Sequence, residues 1–183
     1  IGEVLPFERI TAALPALHAS LGADGWEAAA RGIMTTDTFP KGSTRTAQLG
    51  GATVRISGFA KGSGMVAPDM ATMLCFVFTD AKLPGAVLQD MLARGVKRSF
   101  NCTTVDSDTS TSDTVLLFAT GQTPHEKVGK RDKKALRVFR DALEAVLLDL
   151  ALQVVRDGEG AQKLIRIDVT GAVSNTSARR VAL

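Results

Sequence analysis

The sequence contains no tyrosine, one tryptophan, two histidines and two cysteines, and aromatic residues fill only 5% of its 183 positions. Each shortage removes a class of function. Cys75 and Cys102 form no C-x-x-C pair, so they make neither a disulfide framework nor a zinc ribbon, and they fit a reducing, cytoplasmic setting. His18 and His125 are too few to assemble a His/Cys metal set, and they argue against a Ser-His-Asp or Cys-His apparatus; both read as solvated side chains. Charge is nearly balanced, 22 basic against 19 acidic residues for a net of +3. The isoelectric point near 9.1 therefore comes without a Lys/Arg block, which argues against a nucleic-acid partner. The longest uncharged apolar run, residues 73–79, is too short to span a bilayer. Residues 1–10 carry Glu3, Glu8 and Arg9 and do not read as a signal peptide. The opening on Ile1 reads as a processed piece or as a sequence that begins mid-protein.

What is present is ample apolar mass. Hydrophobic residues make up 45% and charged residues 22%, which suits one globular domain over residues 1–183. Phe7, Ile10, Leu14 and Leu17 step at helical spacing and predict a helix over 6–19, disturbed by Pro15. Asp24 reads as the N-cap of a second helix over 26–34. A polar, turn-rich stretch, 35–43, follows. Residues 53–59 alternate as a half-buried strand, and 73–78 read as a central strand. Pro84 opens a helix to about Ser99. Residues 115–119 read as another buried strand, after a stretch with no apolar side chain. Residues 123–134 form a basic loop. Leu136, Phe139, Leu143, Val146, Leu147, Leu150 and Val154 then mark a long amphipathic helix ending near Gly158. Residues 164–169 alternate as a last strand. Strands and helices interleave without a βαβ period, so the class is α+β.

Four polar stretches could carry chemistry: 34–38, 61–73, 106–114 and 157–161. Gly62-Ser63-Gly64 reads as a tight turn more readily than as a phosphate loop, because Lys61 precedes the glycines and a strand follows. Asp106, Asp108 and Asp113 could offer oxygens to calcium, but the stretch lacks the ligand order of an EF-hand and reads better as a loop of Asx- and ST-turns. With no useful histidine, a threonine or lysine nucleophile remains. Thr72 lies where a Gly/Pro-containing loop meets a buried strand. A threonine hydroxyl needs a base, and its own freed α-amine can be one if the chain breaks before it. Spacing alone suits an ordinary strand-start residue better.

Motif blocks weigh the other way. Lys61-Gly62-Ser63-Gly64-Met65, Pro68-Asp69-Met70-Ala71-Thr72-Met73-Leu74 and Thr79-Asp80-Ala81 resemble the bifunctional ornithine acetyltransferase (glutamate N-acetyltransferase) family of arginine biosynthesis. So do Met34-Thr35-Thr36-Asp37-Thr38, the run 106–114, Asp157-Gly158-Glu159-Gly160-Ala161 and Lys163-Leu164-Ile165, in family order. The resemblance implies an αββα-type sandwich of mixed sheets flanked by helices, in a self-processing N-terminal-nucleophile enzyme. It implies cleavage between Ala71 and Thr72, leaving residues 1–71 at the end of an α segment and 72–183 at the start of a β segment. Thr72 would then take acetyl from N-acetylornithine and pass it to glutamate through an acetyl-threonine. By the same resemblance, substrate contacts fall on Thr35, Lys61, Thr72 and Glu159, no metal or resident cofactor is needed, acetyl-CoA serves many members as a donor, and the segments assemble as an α2β2 heterotetramer. Family members carry a Thr-Gly pair, held to supply the oxyanion hole, ahead of a segment like Ile1-Gly2-Glu3; this sequence lacks it and matches the middle of such a protein. The alternatives are an aminopeptidase-like hydrolase using the same kind of nucleophile, or an inactive fragment lacking the oxyanion hole.

Overall fold

The computed structural model describes residues 2, 4–64, 73–105, 112–129 and 132–182. Helices α1 (Phe7–Ala19) and α2 (Trp26–Gly32) precede a hairpin of β1 (Lys41–Leu49) and β2 (Ala52–Lys61). Then come β3 (Leu74–Thr79), α3 (Gly85–Lys97), a short 3-10 turn (Phe100–Cys102), β4 (Thr114–Ala119), α4 (Lys133–Arg156) and α5 (Asn175–Ala182). The strands form one sheet in the order β1-β2-β3-β4. The first two pairings are antiparallel and β3–β4 is parallel, which requires the α3 crossover between them. This is the α+β class read from the sequence.

Period-two alternation decides which side of the sheet is covered. Val54, Ile56, Ala60, Cys75 and Val77 point to one face, beneath Phe139, Leu143, Val146, Leu147 and Leu150 of α4 and Val87, Leu88 and Met91 of α3. Burial pushes the Cys75 thiol up to about 12, so it behaves as a small apolar side chain. The opposite face carries an aromatic ladder. Phe59 meets Phe76 at 5.6 Å, Phe78 stacks on Phe118 at 5.2 Å, and Trp26 of α2 sets its edge on Phe59 and Phe78.

Several expectations need correction. Residues 41–49 form β1, so the expected turn-rich stretch 35–43 gives way to a strand from Lys41 onward; Gly50 and Gly51, both at positive φ, close its hairpin onto β2 with Leu49 opposite Ala52. Gly25, not Asp24, stands at the N-cap of α2, and no side chain caps it. Helix α1 runs through Pro15 and buries none of its apolar stripe. Residues 164–169 are not a strand, and Leu164, Ile165 and Ile167 are exposed; alternation supplies a strand only when a sheet edge is there to pair with it. His125 is half-buried rather than solvated: its Nδ1–H donates to the Glu126 carbonyl (2.7 Å) while Nε2 accepts the Lys82 N–H (2.8 Å), which fixes the tautomer.

Candidate active site

Ala71 and Thr72, the expected cleavage point and nucleophile, lie outside the described residues, as do Asp106 and Asp108. The elements on either side are well defined. Strand β2 ends at Lys61, whose register partner across the sheet is Leu74, two residues along the chain from Thr72. Met73 is held from both sides: its N–H donates to the Asp113 carboxylate (2.9 Å) and its carbonyl accepts the Thr114 N–H (3.0 Å). A cleft of about 480 Å³ opens here, lined among others by Gly62, Gly64, Met73, Lys97 and Asp113. Asp113 thus has a structural partner, and among the described residues no three His, Cys, Asp or Glu side chains are grouped to hold a metal.

Three of the expected contact residues converge at the end of β2. Lys61 is 4% exposed, and its ammonium donates to the Thr35 hydroxyl at 2.9 Å. Among the described residues no carboxylate pairs with it. Glu159, just past α4, is exposed, and its backbone N–H donates to the Ser63 carbonyl at 2.5 Å. The Ser63 hydroxyl is buried against that of Thr36 at 2.5 Å. The loop after α2, the end of β2 and the end of α4 therefore meet.

Beneath them lies a cluster that sequence reasoning missed. Lys41 is fully buried, and its ammonium touches Asp37 at 2.6 Å and Asp157 at 2.5 Å. Asp37 also accepts the Gly62 N–H (2.7 Å) and the Thr35 N–H (3.2 Å). Asp157 accepts the Thr38 N–H (2.9 Å) and the Thr38 hydroxyl. Burial by itself would raise both carboxyls, but these hydrogen bonds and the Lys41 charge outweigh it and hold both below the ordinary carboxylate value. Asp37 and Asp157 fall in stretches singled out for chemistry; Lys41 lies only in the turn-rich stretch 35–43. Its only sequence signal is the four-residue spacing from Asp37, which more often marks an exposed helical pair.

The comparisons with known proteins bear on this arrangement. The model of the ArgJ family matches residues 1–183. The chain is 62% identical over 183 residues to the arginine biosynthesis bifunctional protein ArgJ of Gluconobacter oxydans and 56% identical over 182 residues to that of Caulobacter vibrioides. Each alignment takes in 100% of this chain but only 43% and 45% of the relative, so the chain spans less than half the length of these proteins. The crystal structure of arginine biosynthesis bifunctional protein ArgJ from Bacillus halodurans is similar with a TM-score of 0.55 and 40% identity, over 62% of this chain and 51% of that one.

Proposed function

The chain belongs to the ArgJ family, and on that premise we propose that it forms part of an acetyltransferase that moves acetyl from N-acetylornithine to glutamate through Thr72. The observation that carries the reading is Lys61: a buried ammonium bonded to the Thr35 hydroxyl, without a carboxylate partner among the described residues. An ammonium kept from water needs an anion, and the α-carboxylate common to both substrates supplies one. Glu159 is exposed and is tied by its backbone N–H to Ser63, two residues along the chain from Lys61; its carboxylate is suited to accept hydrogen bonds from a substrate ammonium.

The chemistry begins with self-cleavage. The Thr72 hydroxyl adds to the Ala71 carbonyl, the C–N bond breaks as an ester forms, and water releases the ester to leave the α-amine of Thr72 free. That amine accepts the hydroxyl proton as the oxygen attacks the acetyl carbonyl of N-acetylornithine. The proton passes to the departing nitrogen, ornithine leaves, and Thr72 holds the acetyl group. The amine of glutamate then attacks the ester and regenerates the hydroxyl. Acetyl-CoA would enter as an alternative donor at the acylation step, no metal or resident cofactor is used, and the assembly is an α2β2 heterotetramer in the cytoplasm. Among the described residues, no helix is long and apolar enough to cross a membrane.

Denaturing mass spectrometry of the full-length protein tests this reading. Two pieces split before Thr72 are expected, with a single uncleaved chain for Thr72→Ala. Acetyl-labelled N-acetylornithine should place its label on Thr72, and its absence there refutes the assignment.

A further inference from the structure

We propose that the buried Asp37–Lys41–Asp157 cluster is a positioning device that sets the carboxylate-binding end of the site by locking Thr35, Lys61 and Glu159 to one another. The inference rests on the reading of Lys61 given above. Its basis is where the bonds of the cluster go. Asp37 takes the backbone N–H of Thr35 itself and that of Gly62, the residue after Lys61. Asp157 stands two residues before Glu159 and takes both donors of Thr38. The Lys41 ammonium joins the two carboxylates, so one buried cation ties together the loop after α2, the end of β2 and the end of α4. The ring closes on the far side through Thr36–Ser63 and Ser63–Glu159. Bonds from backbone N–H groups to ionised carboxylates are strong, and in a buried cluster they leave these segments little freedom. Asp37, Lys41 and Asp157 need not touch substrate; they act through the residues they hold.

The role has a signature that plain structural support lacks. In Asp37→Asn, the amide oxygen can stay on Gly62 N–H and Lys41, but the NH2 then faces the Thr35 N–H, donor against donor. Thr35 and its bond to Lys61 shift, and a displacement near 1 Å in a positioning group costs on the order of tenfold to a hundredfold. The loss should fall on substrates that carry a carboxylate. The experiment compares acylation of the full-length protein by N-acetylornithine with acylation by para-nitrophenyl acetate, a neutral donor whose ester bond breaks as the acetyl-threonine forms and nitrophenolate leaves. For Asp37→Asn, kcat/KM for N-acetylornithine should fall at least about tenfold more than for the neutral ester, mainly through KM. Thr38→Val, which removes only the hydroxyl bond to Asp157, guards against a variant that does not fold and should shift the same ratio by about threefold. If activity toward both donors falls in parallel in both variants, or the ratio stays at the wild-type value, the cluster is structural support only and the proposal is overturned. A wild-type protein that takes acetyl from the neutral ester but not from N-acetylornithine overturns the underlying functional reading, and the proposal with it.

Discussion

Lys61 and Lys41 show how the same side chain takes opposite roles when buried. Lys41 sits between two carboxylates and is neutralised within the fold, whereas Lys61 has a hydroxyl and, among the described residues, no carboxylate. Lys61→Met keeps the aliphatic stem and should raise the KM for glutamate at least tenfold, about 1.4 kcal/mol of lost binding, with thermal stability unchanged or higher. Lys41→Met should instead destabilise by about 3–5 kcal/mol in urea unfolding, because it leaves two buried carboxylates without their cation. The pH dependence separates the cases further. Asp37 and Asp157 titrate below their ordinary 3.8 in the folded chain, so their contribution is complete above that value and is lost as pH falls through the folded values. In Lys41→Met each carboxyl loses the lowering influence of that cation and keeps only its bonds from Gly62 and Thr35 or from Thr38 against burial, so both move upward and the stability they confer near neutral pH should shrink. Urea midpoints measured from acid to neutral pH should rise with pH in the wild type and rise less in Lys41→Met.

At the scale of elements, the β1–β2 hairpin places Lys41 and Lys61, and its turn is the most specified part of it. Lys41 pairs with Ala60 in register, so a slip of one residue would turn the buried lysine to the other face of the sheet. A Cβ at Gly50 would come within 2.5 Å of the Glu126 carbonyl oxygen, whereas a Cβ at Gly51 meets open space, although both residues have positive φ. Gly51→Ala should cost about 1 kcal/mol for the backbone conformation alone, and Gly50→Ala about 2–3 kcal/mol because backbone must also move. Thermal unfolding of the two variants checks the order. Residues 41–49 show why the hairpin was hard to read in advance: Lys41-Gly-Ser-Thr-Arg-Thr is polar enough to pass for a loop, and only the Gly50-Gly51 pair marks the turn.

For the whole molecule, the asymmetry of the sheet is the main feature. One face lies under α3 and α4, while on the other Trp26, Leu116 and Phe118 are 45%, 41% and 45% exposed. Helix α1 and residues 164–167 add further uncovered apolar side chains. The open face of the sheet, where Trp26, Phe78 and Phe118 touch in turn, is an apolar surface of the kind that binds hydrophobic probes. The 183-residue chain on its own should raise the fluorescence of an anilinonaphthalene dye, and Leu116→Lys with Phe118→Lys should lower the rise without altering the α4-covered core.

The sequence by itself determined the elements whose periodicity is strong and whose partners are near. Residues 136–154 read as an amphipathic helix and 53–59 as a strand because apolar spacing of three to four or of two reflects which face meets the core, and the apolar runs 73–78 and 115–119 are strands as expected, although 115–119 is an edge strand with Leu116 and Phe118 exposed rather than a buried one. It also marked Thr35, Lys61, Thr72 and Glu159 through motif blocks, of which the structure brings Thr35, Lys61 and Glu159 together while Thr72 lies outside the described residues. Only the tertiary structure decided that Lys41 is buried between Asp37 and Asp157, since residues separated by 116 positions meet through packing and not through any local pattern. It decided, too, that the alternation of 164–169 yields no strand, because a ladder needs a second backbone and spacing along one chain cannot supply it.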